Sequence, residues 1–114
     1  MQRPLKHVLL VAQDSHTIGV VTSTLQAFGF LVYHHARATA REFERTAFDM
    51  VILEVAPTDV HIEEGQSLSS RFPSVPIICV TGESQRTMVE KVLPEAEILV
   101  KPVDASHLAR AFIY

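Results

Sequence analysis

Four short apolar runs organise the chain: Val8–Ala12, Met50–Leu53, Pro76–Val80 and Ile98–Val100. None alternates with polar residues, the pattern of a strand covered on both faces. A weaker fifth run, Phe30–Tyr33, follows Gly29. Helical spacing fills the intervals. After Asp14 and Ser15, either of which could cap a helix, Ile18, Val21, Leu25 and Phe28 share one stripe, and Gly29 is placed to end that helix in a left-handed turn. A short second helix is predicted over Thr39–Ala47 and a third within Ile62–Phe72, ending before Pro73. A fourth covers Ser84–Leu93, with Met88, Val89 and Val92 inward and Pro94 stopping it. A fifth starts near Asp104, a suitable cap, and carries Leu108, Ala111 and Phe112. Strand and helix alternate five times, so the predicted fold is α/β: a doubly wound, five-stranded parallel sheet with right-handed crossovers and helices on both faces. The longest irregular stretch is Ala56–Glu64.

A length of 114 residues suits one domain, 1–114, with one core. With 47% hydrophobic and 20% charged residues, the chain is not a disordered acidic or basic tail. A net charge of −3 exerts no general pull on nucleic acid or anionic membrane. The apolar runs fall far short of the roughly 20 residues of a membrane span, and Met1–Lys6 lacks the apolar stretch of a signal peptide. One cysteine excludes a disulfide framework or a multi-thiolate zinc site. The expectation is a reduced, cytoplasmic domain.

Several residues that invite a chemical reading have a plainer one. Cys79 lies in an apolar strand and reads as core. His34 and His35 are adjacent in a strand and point to opposite faces, and His7, His16, His61 and His107 lack ligand spacing, so no metal site is expected. Arg37, Arg41 and Arg45 line one face but are diluted by Glu42 and Glu44, the pattern of a solvated helix. Four unclustered glycines make no phosphate-cradling loop.

In an open α/β sheet, ligands gather at the carboxyl ends of the strands. There the chain places Gln13 and Asp14, then Glu54, then Thr81 and Gly82, then Lys101 and Pro102. Glu54 interrupts an apolar strand, and a buried carboxylate needs a partner. Lys101 is the obvious one, either as an ion pair fixing the strand ends or as part of a site.

Taken in order, these segments resemble the receiver domain of bacterial two-component response regulators, from Lys6 to Phe112. Val8–Asp14 is similar to the first strand and its acidic cluster, and Asp49–Glu54 to the strand ending in the phosphoacceptor Asp. Pro76–Gly82 is similar to the strand with the switch hydroxyl, and Ile98–Pro102 to the Lys-Pro segment. The resemblance implies a flavodoxin-like fold with strand order 2-1-3-4-5, and no enzyme.

The departures are chemical. The two acidic positions that would hold Mg²⁺ read Ala12 and Gln13, with Asp14 one place late. Glu54 stands at the phosphoacceptor position, Pro57 follows it one residue early, and Ile98 occupies the aromatic switch position. The usual glycine is displaced to Gly65. Mg²⁺ needs several oxygen ligands in near-octahedral array, and Ala12 supplies none, so its binding is expected to be lost or very weak, and no cofactor is expected. The extra methylene of Glu54 moves the carboxylate about 1.5 Å, one carbon–carbon bond, a displacement to which in-line transfer is sensitive.

The expected function is an atypical receiver that is not phosphorylated and acts through protein contact: a kinase, an output domain, or a second copy through the face of the fourth helix, fifth strand and fifth helix. A fixed scaffold is favoured over a phosphomimetic state, because a carboxylate carries less charge and fewer acceptor oxygens than a phosphoryl group. Two alternatives stay open: a small-molecule-sensing module built on the degenerate pocket, and a phosphoacceptor using Glu54 or Asp14. An output or sensor region is expected beyond Tyr114.

Overall fold

The computed structural model describes residues 6–37, 47–55 and 60–113. Five strands, β1 (His7–Val11), β2 (Leu31–His35), β3 (Met50–Val55), β4 (Ile77–Thr81) and β5 (Glu97–Val100), form one parallel sheet in the order β2-β1-β3-β4-β5. The described helices are α1 (Ser15–Ala27), α2 (Val60–Arg71), α3 (Arg86–Val92) and α4 (Ala105–Ile113). A 3-10 turn over Glu83–Gln85 leads into α3. The doubly wound sheet and its order match the expectation. The helix expected over Thr39–Ala47 lies, but for Ala47, outside the described residues, as do Arg41, Arg45 and Pro57.

Each central strand feeds two cores, because alternate side chains leave opposite faces. Leu9, Val11, Val51, Leu53 and Cys79 pack against α2 and α3 with Ile62, Leu68, Val89 and Leu93. Val8, Leu10, Ile52, Ile78 and Val80 pack against α1 and α4 with Val21, Leu25 and Leu108. Two-sided burial is why these strands read as unbroken apolar runs. The edge strands β2 and β5 are only partly covered.

Two glycines have positional reasons. Gly29 ends α1 at φ 85°, a conformation costly for a residue with a Cβ. At Gly65 on α2, a Cβ would lie 2.8 Å from Leu53 Cδ2 and 3.0 Å from Leu93 Cδ1, so the helix sits closer to β3 than a larger residue allows.

Several expectations are corrected. Phe28 is 51% exposed, since α1 stops at Ala27 and Phe28 belongs to the turn rather than the inward stripe. Val21 and Leu25 are buried and Ile18 packs against the same core, as expected, and Thr17 and Thr24 join them. Met88 is 36% exposed, since α3 is only seven residues long and turns Val89, its neighbour, into the core. Within the expected irregular stretch Ala56–Glu64, α2 already begins at Val60. Strand β4 runs on through Thr81, which is a ladder residue rather than a residue after the strand, while Glu54 lies in β3 as expected.

Candidate functional site

The site lies where β3 outlasts β1. The β1–β3 ladder ends at the pair Val11–Leu53, whereas β3 continues beside β4 through Glu54 and Val55. Beyond Val11 the chain turns over the end of β3 into α1. Its backbone N–H groups at Gln13 and Asp14 both donate to Glu54 Oε1, at 2.7 and 3.0 Å. The Glu54 side chain is 2% exposed.

Lys101 reaches the same carboxylate from the other side. Its backbone N–H donates to Thr81 O at 2.8 Å, carrying the β4–β5 ladder one step past Val100. Strands two apart are separated by roughly 10 Å, and the Lys101 and Glu54 side chains together span β4. Lys101 Nζ stands 2.6 Å from Glu54 Oε2 as an ion pair, and Oε2 takes no hydrogen bond of regular geometry from the described residues. Lys101 is one-third exposed, so the pair is buried at the carboxylate and wet at the ammonium. The Lys101–Pro102 peptide is cis.

Burial alone raises the pKa of Glu54 and is the largest single influence on it; the Lys101 ammonium and the two N–H groups together outweigh it, holding the carboxyl below its ordinary value. The N–H donors matter because each is polarised toward the charged form only. Asp14 is the N-cap of α1: its Oδ2 accepts from Thr17 Oγ1 at 2.7 Å and Thr17 N at 3.0 Å, and the hydroxyl first, then the N–H, lowers its pKa. At the far side of the sheet edge, Asp104 Oδ1 accepts from His107 N and Ser106 Oγ, capping α4 in the same manner. Burial pushes the Cys79 thiol up to about 12, so it is inert core and not a nucleophile.

Thr81 does not join Glu54 and Lys101. In-register neighbours of a parallel ladder share a face; Glu54 is opposite Val80, and Val55 is opposite Thr81. Glu54 and Thr81 therefore leave opposite faces of the sheet. The buried Thr81 hydroxyl donates instead to Gln85 Oε1, at 3.3 Å. Ile98, opposite Cys79, packs half-buried against the α2–α3 core. Ala12 is buried, and Pro102 is exposed at the start of the loop into α4.

Glu54, Gln13, Asp14, Gly82, Gln85 and Lys101 border a hollow of about 500 Å³. Its donor set does not fit Mg²⁺. Ala12 has no ligand atom, both Glu54 oxygens face N–H or ammonium groups, and one Asp14 oxygen is held by Thr17. A second hollow, at the opposite edge of the sheet, lies among Ser69, Pro73, Val75, Val92 and Pro94 and holds no buried ionisable group.

Residue types alone did not point to the backbone donors at Gln13 and Asp14 or to Gln85. The first two carry no side-chain signal. Gln85, four residues after Thr81, was legible in principle as an i, i+4 partner.

No protein-family model matches the sequence, and no curated protein matches it either. Solved structures do. The chain is similar to a CheY-like response regulator receiver domain protein from Methanospirillum hungatei JF-1, with TM-score 0.80 and 20% identity, covering 96% of this chain and 92% of that one. It is similar to the chemotaxis protein CheY4 of Vibrio cholerae, with TM-score 0.75 and 22% identity, over 96% of this chain and 98% of that one. A third match, NtrX from Brucella abortus, has TM-score 0.83 and 14% identity over 95% of this chain, which spans 26% of that protein. The fold is that of CheY-like receiver domains.

Proposed function

We propose that this chain is a receiver module of two-component signalling that works without accepting a phosphoryl group. It is a binding module and not an enzyme. The observation that carries this reading is the occupancy of the Glu54 carboxylate, by Gln13 N, Asp14 N and Lys101 Nζ. A phosphoacceptor needs one free oxygen aligned with the donor and a cation to neutralise the developing charge. Here the oxygens are engaged and the carboxylates that would hold the cation are missing.

Its signalling then runs through protein contact, with a kinase, an output domain or a second copy as partner. The face of α3, β5 and α4 is the proposed surface for self-association, and Met88 lies exposed on it. No helix among the described residues is long and apolar enough to cross a membrane. A second reading, a small-molecule module, draws support from the hollow beside Lys101. Its test is a thermal-shift screen with nucleotides and small acids, in which a saturable shift abolished by Lys101→Met would favour it.

The test of the main reading is intact mass after incubation with Mg²⁺ and a small-molecule phosphodonor, with Glu54→Asp and Glu54→Gln alongside. The wild-type mass is expected to stay unchanged. A gain of one phosphoryl group that Glu54→Gln abolishes would overturn the proposal.

A further inference from the structure

The contacts of Glu54 converge from segments far apart in sequence. Two adjacent backbone N–H groups, of Gln13 and Asp14, aim at one oxygen, and an ammonium group meets the other. None of these donors belongs to β3, and the backbone that carries each is fixed by something other than Glu54. The β1–α1 turn is held by the Asp14–Thr17 cap and by Ala12 N–H, which donates to His35 O. Lys101 is held through its own backbone bond to Thr81 O. A donor set anchored independently of its acceptor is a preorganised site. Its occupant is a carboxylate, almost wholly removed from water.

We propose that the β1–α1 turn and Lys101 form a binding site for a small carboxylate, and that its resident ligand is the protein's own Glu54. Glu54 acts as a tethered ligand rather than as a reactive group. Three features set the class. Contacts on both oxygens, N–H groups to one and an ion-paired ammonium to the other, match a planar two-oxygen anion. The single positive charge of Lys101 balances one negative charge. The carboxylate lies at the floor of the hollow, beside its buried ladder neighbour Val80, with room for a ligand of few atoms. Truncation of Glu to Ala deletes a CH₂–COO⁻ unit, which is acetate but for one hydrogen.

This inference rests on reading Glu54 as an internal closure, and it goes further in naming what the closure occupies. The experiment is a thermal-denaturation titration of Glu54→Ala with sodium acetate, against sodium chloride at equal ionic strength. Glu54→Ala is expected to melt well below wild type in chloride, and acetate is expected to raise its midpoint saturably. Half-saturation is expected on the order of 1–10 mM, within reach of a ligand with so few atoms. Wild type, whose site is filled, is expected to give the same midpoint in both salts, as is the double variant Glu54→Ala/Lys101→Met. Inorganic phosphate, tetrahedral and more highly charged, is expected to shift Glu54→Ala less than acetate does; an equal or larger shift would overturn the carboxylate assignment.

Should Glu54→Ala fail to fold in chloride, folding in acetate would support the site. Failure in both salts, with the isosteric Glu54→Gln folded, would overturn it. So would a folded Glu54→Ala that acetate shifts no more than chloride. These outcomes are independent of phosphoryl uptake. A chain that fails the acetate test yet gains no mass from a phosphodonor would lose the site and keep the proposed function.

Discussion

The ends of β3 and β4 lie side by side and are finished in different ways. Glu54 is bound from β1–α1 and from the end of β5, across forty residues or more in each direction. Thr81 is bonded to Gln85, four residues on, by one long hydrogen bond. One strand end is a junction between distant segments; its neighbour is a local turn. The contrast follows from the pleat. A single step along the ladder, from Val80 to Thr81, moves the side chain from the α1–α4 face to the α2–α3 face. The ionic closure therefore links β1, β3 and β5 and passes over β4 without engaging its hydroxyl.

The largest expected effect comes from breaking the junction. Lys101→Met leaves the buried carboxylate with its two N–H donors and no counter-charge. Loss of a partner from a fully buried pair costs about 3–5 kcal/mol; because Lys101 is one-third exposed, about 2–3 kcal/mol is expected. Chemical denaturation at neutral pH measures it. A double-mutant cycle of Lys101→Met with Glu54→Gln should show strong coupling, and a cycle of Thr81→Val with Gln85→Ala should show little.

Acid sharpens the same contrast. The Glu54 carboxyl is held below its ordinary value of 4.5, so near and below that pH the unfolded chain binds more protons than the folded one. The stability it contributes is full above the unfolded value and is lost as pH falls through the folded value. Glu54→Gln is expected to flatten the acid limb of a stability–pH curve, while Thr81→Val leaves its shape unchanged. The caps Asp14 and Asp104 contribute to the same limb with the same sign.

Smaller effects follow at the margins of the junction. Asp14→Ala removes the cap of α1 and is expected to lower stability less than Lys101→Met does, and to loosen the turn that presents the two N–H groups. Amide exchange at Gln13 and Asp14, faster in the variant, would register that loosening. Thr81→Val should cost no more than about 1 kcal/mol, the net worth of one ordinary hydrogen bond, with the Gln13 and Asp14 amides unaffected.

The sheet was legible because its central strands are buried on both faces, which leaves Val8–Val11, Met50–Leu53 and Ile77–Val80 as apolar runs. The strand ends were harder to read, since Thr81 looks like a residue that follows a strand although the ladder includes it. Phe28 and Met88 were misplaced for a related reason: periodicity marks a stripe but not where the helix stops or in what phase it starts. At the site, side-chain chemistry identified Glu54 with Lys101, and the pair is met at 2.6 Å. It also suggested that Thr81 converges on them, which depends on register, a property of strand pairing that residue types do not encode. The donors at Gln13 and Asp14 were illegible because every residue but proline carries the same N–H; what aims them is the end of β1 at Val11, two pairs before β3 ends its own ladder with β4.

The central claim is that the Glu54 carboxylate is held, charged, by the β1–α1 turn and Lys101. It is tested most directly by NMR of the wild-type chain across acid pH, following the Glu54 carboxyl carbon together with the Gln13 and Asp14 amide protons. The expected result is one shared transition, with a midpoint below the ordinary 4.5 and both amide protons moving upfield as the carboxylate is neutralised. A Glu54 midpoint at or above 4.5, with the two amides unmoved, would contradict the account.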